Sequence, residues 1–535
     1  MGHESRIMRR NILLGWLLLV PWPGVAMGTD IPLSGQDELS VTRIRLEGNT
    51  VLDAEEIRKI TAPYEDRIIS ARELQTLRRE LTELYIARGY VNSGVIIPDQ
   101  AIDDGVVRLR AMEGVLSAIS VAGEPWLRKA YLIGRLSRHL SHGAEVLNVT
   151  ELQTRLLLLR QDPLIEEVDA ELVPTAERGQ AELKLSIRET NPVDAGIDIN
   201  NHLSPNVGGL QREVYLRHGN LTGWGDRVEL SYAKAAGMNH LQADYRLPVG
   251  FSGTTIGVQY DRSDTRVVAE PFDLLDIKGS SDSITLDVEY PVYKVPAEEF
   301  TLGLSWKQRR NRNFLLGEAF SFSAGEREGQ SRQEQWHFTQ EWTRRGSERV
   351  LAAYSGFELG RDGLGGGQEP DGNFFAWRGQ FQWLQRIGPL DSQLLFRGAA
   401  RLTDDTLPAP EKFAIGGVDT VRGYPENVIT RDNGLTTSLE WRVPVVTQPL
   451  SDILKGAGPI YLNPFIDYGR GWNVEGTGTP EPLDIYSIGL GFDWKPAGFL
   501  HLKADWAKGL RAIDRGMEYD LQDSGIHLQL MLDLM

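Results

Sequence analysis

Two hydrophobic rhythms divide the chain. Between residues 40 and 190, stretches of alternating apolar and polar positions trade places with stretches of helical spacing. VTRIRLEGN (41–49) alternates and predicts a strand. Ser70 followed by Glu73 makes a capping box, and Leu74, Leu77, Leu81, Leu84 and Tyr85 then recur at helical intervals up to Gly89. VIIP (95–98) and VVRLRAMEG (106–114) predict two further strands. The same order returns: AISVAGE (118–124) as a strand and LRKAYLIGRLSRHL (127–140) as a helix. VTELQTRLLLLRQ (149–161) is a second helix, capped by Asn148 or Thr150, and IEEVDAELV (165–173) and QAELKLSIRE (180–189) are the closing strands. Two such units, 40–114 and 115–190, fit small α+β domains with a helical layer on a sheet.

From residue 193 the helical spacing stops. Val228, Leu230 and Tyr232 alternate with Glu229 and Ser231; Ile284, Leu286, Val288 and Tyr290 alternate with Thr285, Asp287 and Glu289. Tyr486, Ile488, Leu490, Phe492 and Trp494 share one face near the end. One apolar face, one polar face and aromatic residues near strand ends are the signature of a transmembrane antiparallel β-barrel, here spanning 193–535. Sixteen strands are predicted: 193–203, 211–219, 226–235, 239–247, 254–263, 281–292, 299–312, 331–344, 348–361, 372–385, 391–403, 434–444, 459–470, 483–495, 498–508 and 524–534. The number is even, as a single-chain bacterial barrel needs. Connections after even strands are mostly short and several after odd strands are long, which assigns the short turns, and the N-terminal domains, to the periplasm. A soluble β-sandwich would have to bury the apolar face against a second sheet, and sixteen long amphipathic strands fit a membrane barrel better.

The beginning of the chain and its charge agree with an outer-membrane address. Arg6, Arg9 and Arg10 precede an apolar run from Ile12 to Val20, followed by Pro21, Pro23 and the small residues Ala26 and Gly28. This predicts a secretory signal peptide over 1–28; the apolar run is too short to span a bilayer. The formal net charge is −17. An acidic chain without a basic tract argues against a nucleic-acid partner. The absence of cysteine excludes disulfides and thiolate metal sites. No G-x-S-x-G, H-E-x-x-H or P-loop pattern occurs, so no enzyme activity, cofactor or metal is expected.

Candidate chemistry sits in a loop. On the strand count, residues 404–433 form the sixth and longest external loop, with Val421, Arg422, Gly423 and Tyr424 in its middle. A guanidinium inside a barrel needs an acceptor, best a carboxylate that can take two parallel bonds. In FIDYG (465–469), alternation turns Ile466 and Tyr468 to lipid and Phe465, Asp467 and Gly469 inward, which leaves Asp467 facing the lumen without a local partner. Glu440 also points inward, beside Thr436, Ser438 and Arg442. Folding of the loop into the barrel would bring Arg422 against Asp467.

Four segments together resemble a known family: ARGYVNSGVIIPDQAIDDGVVRLRAMEG (87–114), NNHLSPNVGGLQREVYLRHGNLTGWGD (200–226), FAIGGVDTVRGYPENVITRDNGLTTSLEWRVP (413–444) and FIDYGRGW (465–472). They resemble the outer-membrane transporters of two-partner secretion, the hemolysin-activator family within the superfamily of outer-membrane assembly and translocation barrels. VRGY followed by FxDxG, behind two N-terminal repeats, carries the specificity. The resemblance implies two periplasmic POTRA domains, a sixteen-stranded barrel, and a sixth loop pinned inside by an arginine–aspartate pair. It also implies export of an unfolded partner exoprotein, engaged through its N-terminal region at the POTRA domains, without nucleotide energy. The alternatives are an assembly factor inserting other barrels, which usually carries more repeats, and a passive porin or adhesin, which explains neither the repeats nor VRGY. Two features depart from the family pattern. About a dozen residues separate the leader from the first repeat, with no room for a plug helix and its linker, so the loop is expected to gate the pore. The chain ends LQLMLDLM, without the usual terminal aromatic residue.

Overall fold

A computed structural model describes residues 38–534 apart from 101, 103, 137–144, 178, 323–325, 363–371, 447–457, 475–477 and 514–519. The predicted leader, 1–28, lies outside the described residues. The chain forms two compact units that part between Thr190 and Asn191.

The first unit holds both repeats. In the first, Ser70 Oγ accepts from the Glu73 amide at 3.2 Å and Glu73 Oε2 accepts from the Ser70 amide at 2.7 Å, closing the capping box of helix Ala71–Ala87. The Ser70 amide bond, with the Ser70 hydroxyl bond to the same carboxylate, holds the Glu73 carboxyl below its usual range. The helix buries Leu74, Leu77, Leu81 and Tyr85, one stripe at intervals of three and four. This stripe packs on Ile44, Val95, Val107 and Leu109 of a sheet in which Arg43–Glu47 runs parallel to Val106–Met112, and Gly94–Ile96 antiparallel to it. A short pair, Glu38–Val41 with Arg67–Ser70, and helix Ala54–Thr61 complete the repeat.

In the second repeat, Val115–Val121 runs parallel to Gln180–Glu189, which pairs antiparallel with Ile165–Pro174. Of the predicted helix 127–140, Lys129–Leu136 is helical and the rest of its C-terminal part lies outside the described residues. Asn148 is the cap of helix Val149–Arg160, accepting from the amides of Thr150 and Glu151. The same side chain donates to the Arg88 carbonyl at 3.0 Å, and the Val149 amide donates to the Gly89 carbonyl at 2.9 Å. One asparagine thus starts a helix of the second repeat and satisfies a carbonyl at the end of a helix of the first.

The second unit is a closed antiparallel barrel. Its sixteen strands, numbered here in chain order, are Val193–Asn200, Gln211–His218, Arg227–Ala235, Met238–Val249, Thr254–Arg266, Lys278–Val295, Glu298–Leu315, Gln330–Arg345, Arg349–Asp362, Phe374–Ile387, Ser392–Thr403, Asn433–Val446, Ile460–Trp472, Asp484–Ala497, Leu500–Gly509 and Ile526–Asp533. The first and last close the ring, with Gly196 opposite Asp533 and Asn200 opposite Gln529. Closure leaves no unpaired edge in lipid, the condition every membrane-spanning sheet must meet. Alternation divides the faces as the sequence pattern predicts: Ile466 is 52 % exposed on the outside while Asp467 is 3 % exposed inside. The sixth and seventh strands run 18 residues each, beyond the 9–11 that a membrane crossing needs. They are longer than predicted because KGSS (278–281) and RNFL (312–315) carry no period-two signal where the wall leaves the bilayer.

The repeat cores and the barrel stand on different physics, and one variant separates them. Leu81 is fully buried in the first repeat. Leu81→Ala is expected to cost about 2–5 kcal/mol there. Calorimetry of the full chain should show an N-terminal transition at lower temperature, while the barrel keeps its resistance to detergent at room temperature.

Candidate functional site in the sixth loop

Residues 404–432 leave the eleventh strand and return to the twelfth. Within them Phe413–Ile415 pairs with Ile429–Arg431 as a small hairpin. Its far end carries Val421, Arg422, Gly423 and Tyr424, all of them buried. Apolar side chains lead the loop inward: Ile415, Val421, Tyr424 and Ile429 pack with Ile485 of the fourteenth strand. Their bed is made by inward-facing glycines. A Cβ on Gly469 would lie 2.4 Å from Ile415 Cγ2 and 2.8 Å from Val421 Cγ2. One on Gly509 would lie 2.7 Å from the Tyr424 ring. Gly423 takes φ +88°, open to glycine and costly for other residues, and brings the backbone close to the Ala507 carbonyl.

Arg422 is 3 % exposed. Its Nε donates to Asp467 Oδ2 at 2.8 Å and its Nη2 to Asp467 Oδ1 at 3.0 Å, a two-pronged pairing across the loop and the thirteenth strand. Nη2 also donates to Ser438 Oγ at 3.2 Å. Nη1 donates to Glu440 Oε2 at 2.9 Å and to Asp505 Oδ1 at 3.4 Å. The five guanidinium N–H groups therefore have five acceptors. The Arg422 amide adds a bond to Asp467 Oδ2 at 3.1 Å. One flat face of the guanidinium lies over the Phe465 ring, 3.2 Å from its centre. Glu440 is also held by Arg442 at 2.8 Å and Arg397 at 3.6 Å, so one of the three carboxylates around Arg422 has further cations.

The structure brings Arg422, Asp467, Glu440 and Phe465 into direct contact. Val421, Tyr424 and Gly469 form the packing around them. Asp505 and Ser438 belong to the same cluster; both occupy inward positions of alternating strands, a signal present in HLKADWAKG and TTSLEW. Tyr424 accepts from the Arg511 amide at 3.0 Å and stands 3.1 Å from the Tyr486 carbonyl, tying the loop to the fourteenth strand and to the segment after the fifteenth. Glu426 accepts from the Val418 amide at 2.8 Å inside the loop, and burial pushes its carboxyl up to about 7. The Glu426 amide donates to Gln522, whose Nε2 donates in turn to the carbonyls of Asn201 and Leu203. The loop is thus fixed at its tip by charge and along its flank by ordinary hydrogen bonds.

Comparison with known proteins bears on the family and the fold. The family model described as "Haemolysin secretion/activation protein ShlB/FhaC/HecB" matches residues 179–494, and that of the "POTRA domain, ShlB-type" matches residues 39–114. The chain is 20 % identical over 520 residues to the heme/hemopexin transporter protein HuxB of Haemophilus influenzae, covering 88 % of this chain and 83 % of that protein. It is 22 % identical over 433 residues to the outer membrane transporter CdiB of Dickeya dadantii, covering 76 % and 74 %. Its fold matches the solved structure of CdiB from Escherichia coli with a TM-score of 0.72 at 19 % identity, over 96 % of this chain and 93 % of that one. The chain belongs to the haemolysin secretion/activation family, the outer-membrane transporters of two-partner secretion, with its barrel in the outer membrane and its POTRA repeats in the periplasm.

Proposed function

We propose that the barrel exports an unfolded partner exoprotein to the cell surface, that the POTRA repeats, 40–114 and 115–190, receive its N-terminal region, and that the loop held by Arg422 controls the passage. The observation that carries this reading is a long external loop whose tip is buried inside a closed barrel on an ion cluster. A passive porin needs no such anchor, and a lumen that must stay closed until a client arrives does. Docking has a physical route. Among the described residues Ile165–Pro174 pairs on one side only, with Gln180–Glu189, and its ten residues offer main-chain donors and acceptors to an extended segment. Strand addition of this kind gives affinity with little demand on client sequence. The apolar outer band of the barrel meets outer-membrane lipid.

Deleting residues 40–114 should abolish export of the native client while the barrel still inserts, as read by client in the medium and by heat-modifiable mobility of the barrel. Undiminished export would remove the repeats from client recognition.

At the tip, each charge depends on the other. Removing one partner of a buried pair typically costs about 3–5 kcal/mol, because the remaining charge loses a counter-ion; without Asp467, Arg422 keeps Glu440 and Asp505, which lowers the cost on that side. Arg422→Ala and Asp467→Ala should each impair export, and the double variant should be little worse than either. Additive losses, or none, would reject the pair as a working unit.

A further inference from the structure

The loop meets the barrel at a second place. Glu411 lies in the short turn Ala409–Glu411, where the loop leaves the eleventh strand, and is 8 % exposed. It accepts from Arg309 Nη1 at 2.6 Å. Arg309 is on the seventh strand, opposite Ser283 and Gln333, both buried, so it stands on the inner face. Asp467 is six strands further round the ring and Asp505 eight, half of the sixteen-strand circumference. The two contacts therefore hold the loop against opposite walls.

Arg309 belongs to a cationic group whose nearby wall carboxylates, Glu358 and Asp261, already have partners of their own. Lys307 is its neighbour on the same inner face, within electrostatic reach of Glu411, Glu358 and Asp261. Arg401 of the eleventh strand donates to Glu358 Oε2 at 2.5 Å, and His337 Nδ1 stands 3.8 Å from Glu358 Oε1. Asp261 is paired with His240 at 2.7 Å. To Glu358 and Asp261, which Arg401 and His240 already hold, the loop adds Glu411 for Arg309. Departure of Glu411 would leave Arg309 without that carboxylate on a half-dry wall, an unfavourable exchange.

The legs of the loop are braced as well. Asp432, fully buried, accepts from the Leu407 amide at 3.0 Å and the Val474 amide at 3.2 Å, and pairs with Lys412 at 2.9 Å. The brace joins the entering leg to the returning one beside Glu411.

We propose that Arg309 and Glu411 are a second positioning pair for the loop, independent of Arg422, and that the loop is a strut anchored on two opposite walls. Releasing one end leaves it tethered by the other, and full opening requires both pairs to part. This rests on the reading that the loop controls the export path. Because the chain has no cysteine, single reporters can be placed at the shoulder (Thr406→Cys) and near the tip (Asp419→Cys) and labelled with a maleimide in outer-membrane vesicles. Glu411→Gln or Arg309→Gln should raise labelling at the shoulder several-fold and leave the tip unchanged. Arg422→Ala should do the reverse, and the combined variant should raise both. The exchange Arg309→Glu with Glu411→Arg should restore protection of the shoulder, which a general loss of folding cannot do. Unchanged shoulder labelling in Glu411→Gln, or a rise at both reporters equal to that of Arg422→Ala, would overturn the second anchor. Export is measured in the same cells: the expected labelling with normal export in the combined variant would keep the anchor and instead remove the loop from control of the path.

Discussion

A guanidinium withdrawn from water stays in place only where fixed acceptors replace its hydration. Arg422 meets that requirement with contributions from separate parts of the chain. Asp467 comes from the thirteenth strand, Glu440 and Ser438 from the twelfth, Asp505 from the fifteenth, and the ring of Phe465 covers one face. None of these side chains alone would justify burying the arginine. The loop enters the lumen because the strands are closed into a ring that presents them together. In return, the loop supplies the charge that lets three inward carboxylates stand close to one another.

The same wall is shaped for the loop by what it lacks. Gly469 and Gly509 leave the space taken by Ile415, Val421 and Tyr424. An ordinary lumen is polar and wet; this sector accepts an apolar cluster, so water is excluded where the ion pair sits. Exclusion strengthens the pair and raises the cost of breaking it. Such an anchor suits a closed state that thermal motion does not open, with release left to an event such as client arrival.

Much of this was legible in the residues. Period-two alternation found all sixteen barrel strands, because a membrane wall must separate its faces at every second residue. It also turned Asp467 and Glu440 inward and left Asp467 without a local partner. The capping box at Ser70 and Glu73 marked the start of a helix for a local reason that needs no tertiary knowledge. What stayed hidden were relations between distant segments. Asp505 had the right face but nothing in its neighbourhood to link it with residue 422. Arg309 and Glu411 are 102 positions apart, in stretches that read as ordinary lumen lining and an ordinary proline-rich turn. The ends of the sixth and seventh strands were missed because, above the bilayer, both faces meet water and the alternation disappears.

If the loop fills the lumen and the ion cluster keeps it there, its removal must change what the pore conducts. Single-channel recording in planar bilayers compares the intact chain with a chain lacking residues 404–432. The account predicts small, fluctuating conductance for the first and a larger, steadier conductance for the second. Equal conductance in the two, with both barrels folded, would contradict it.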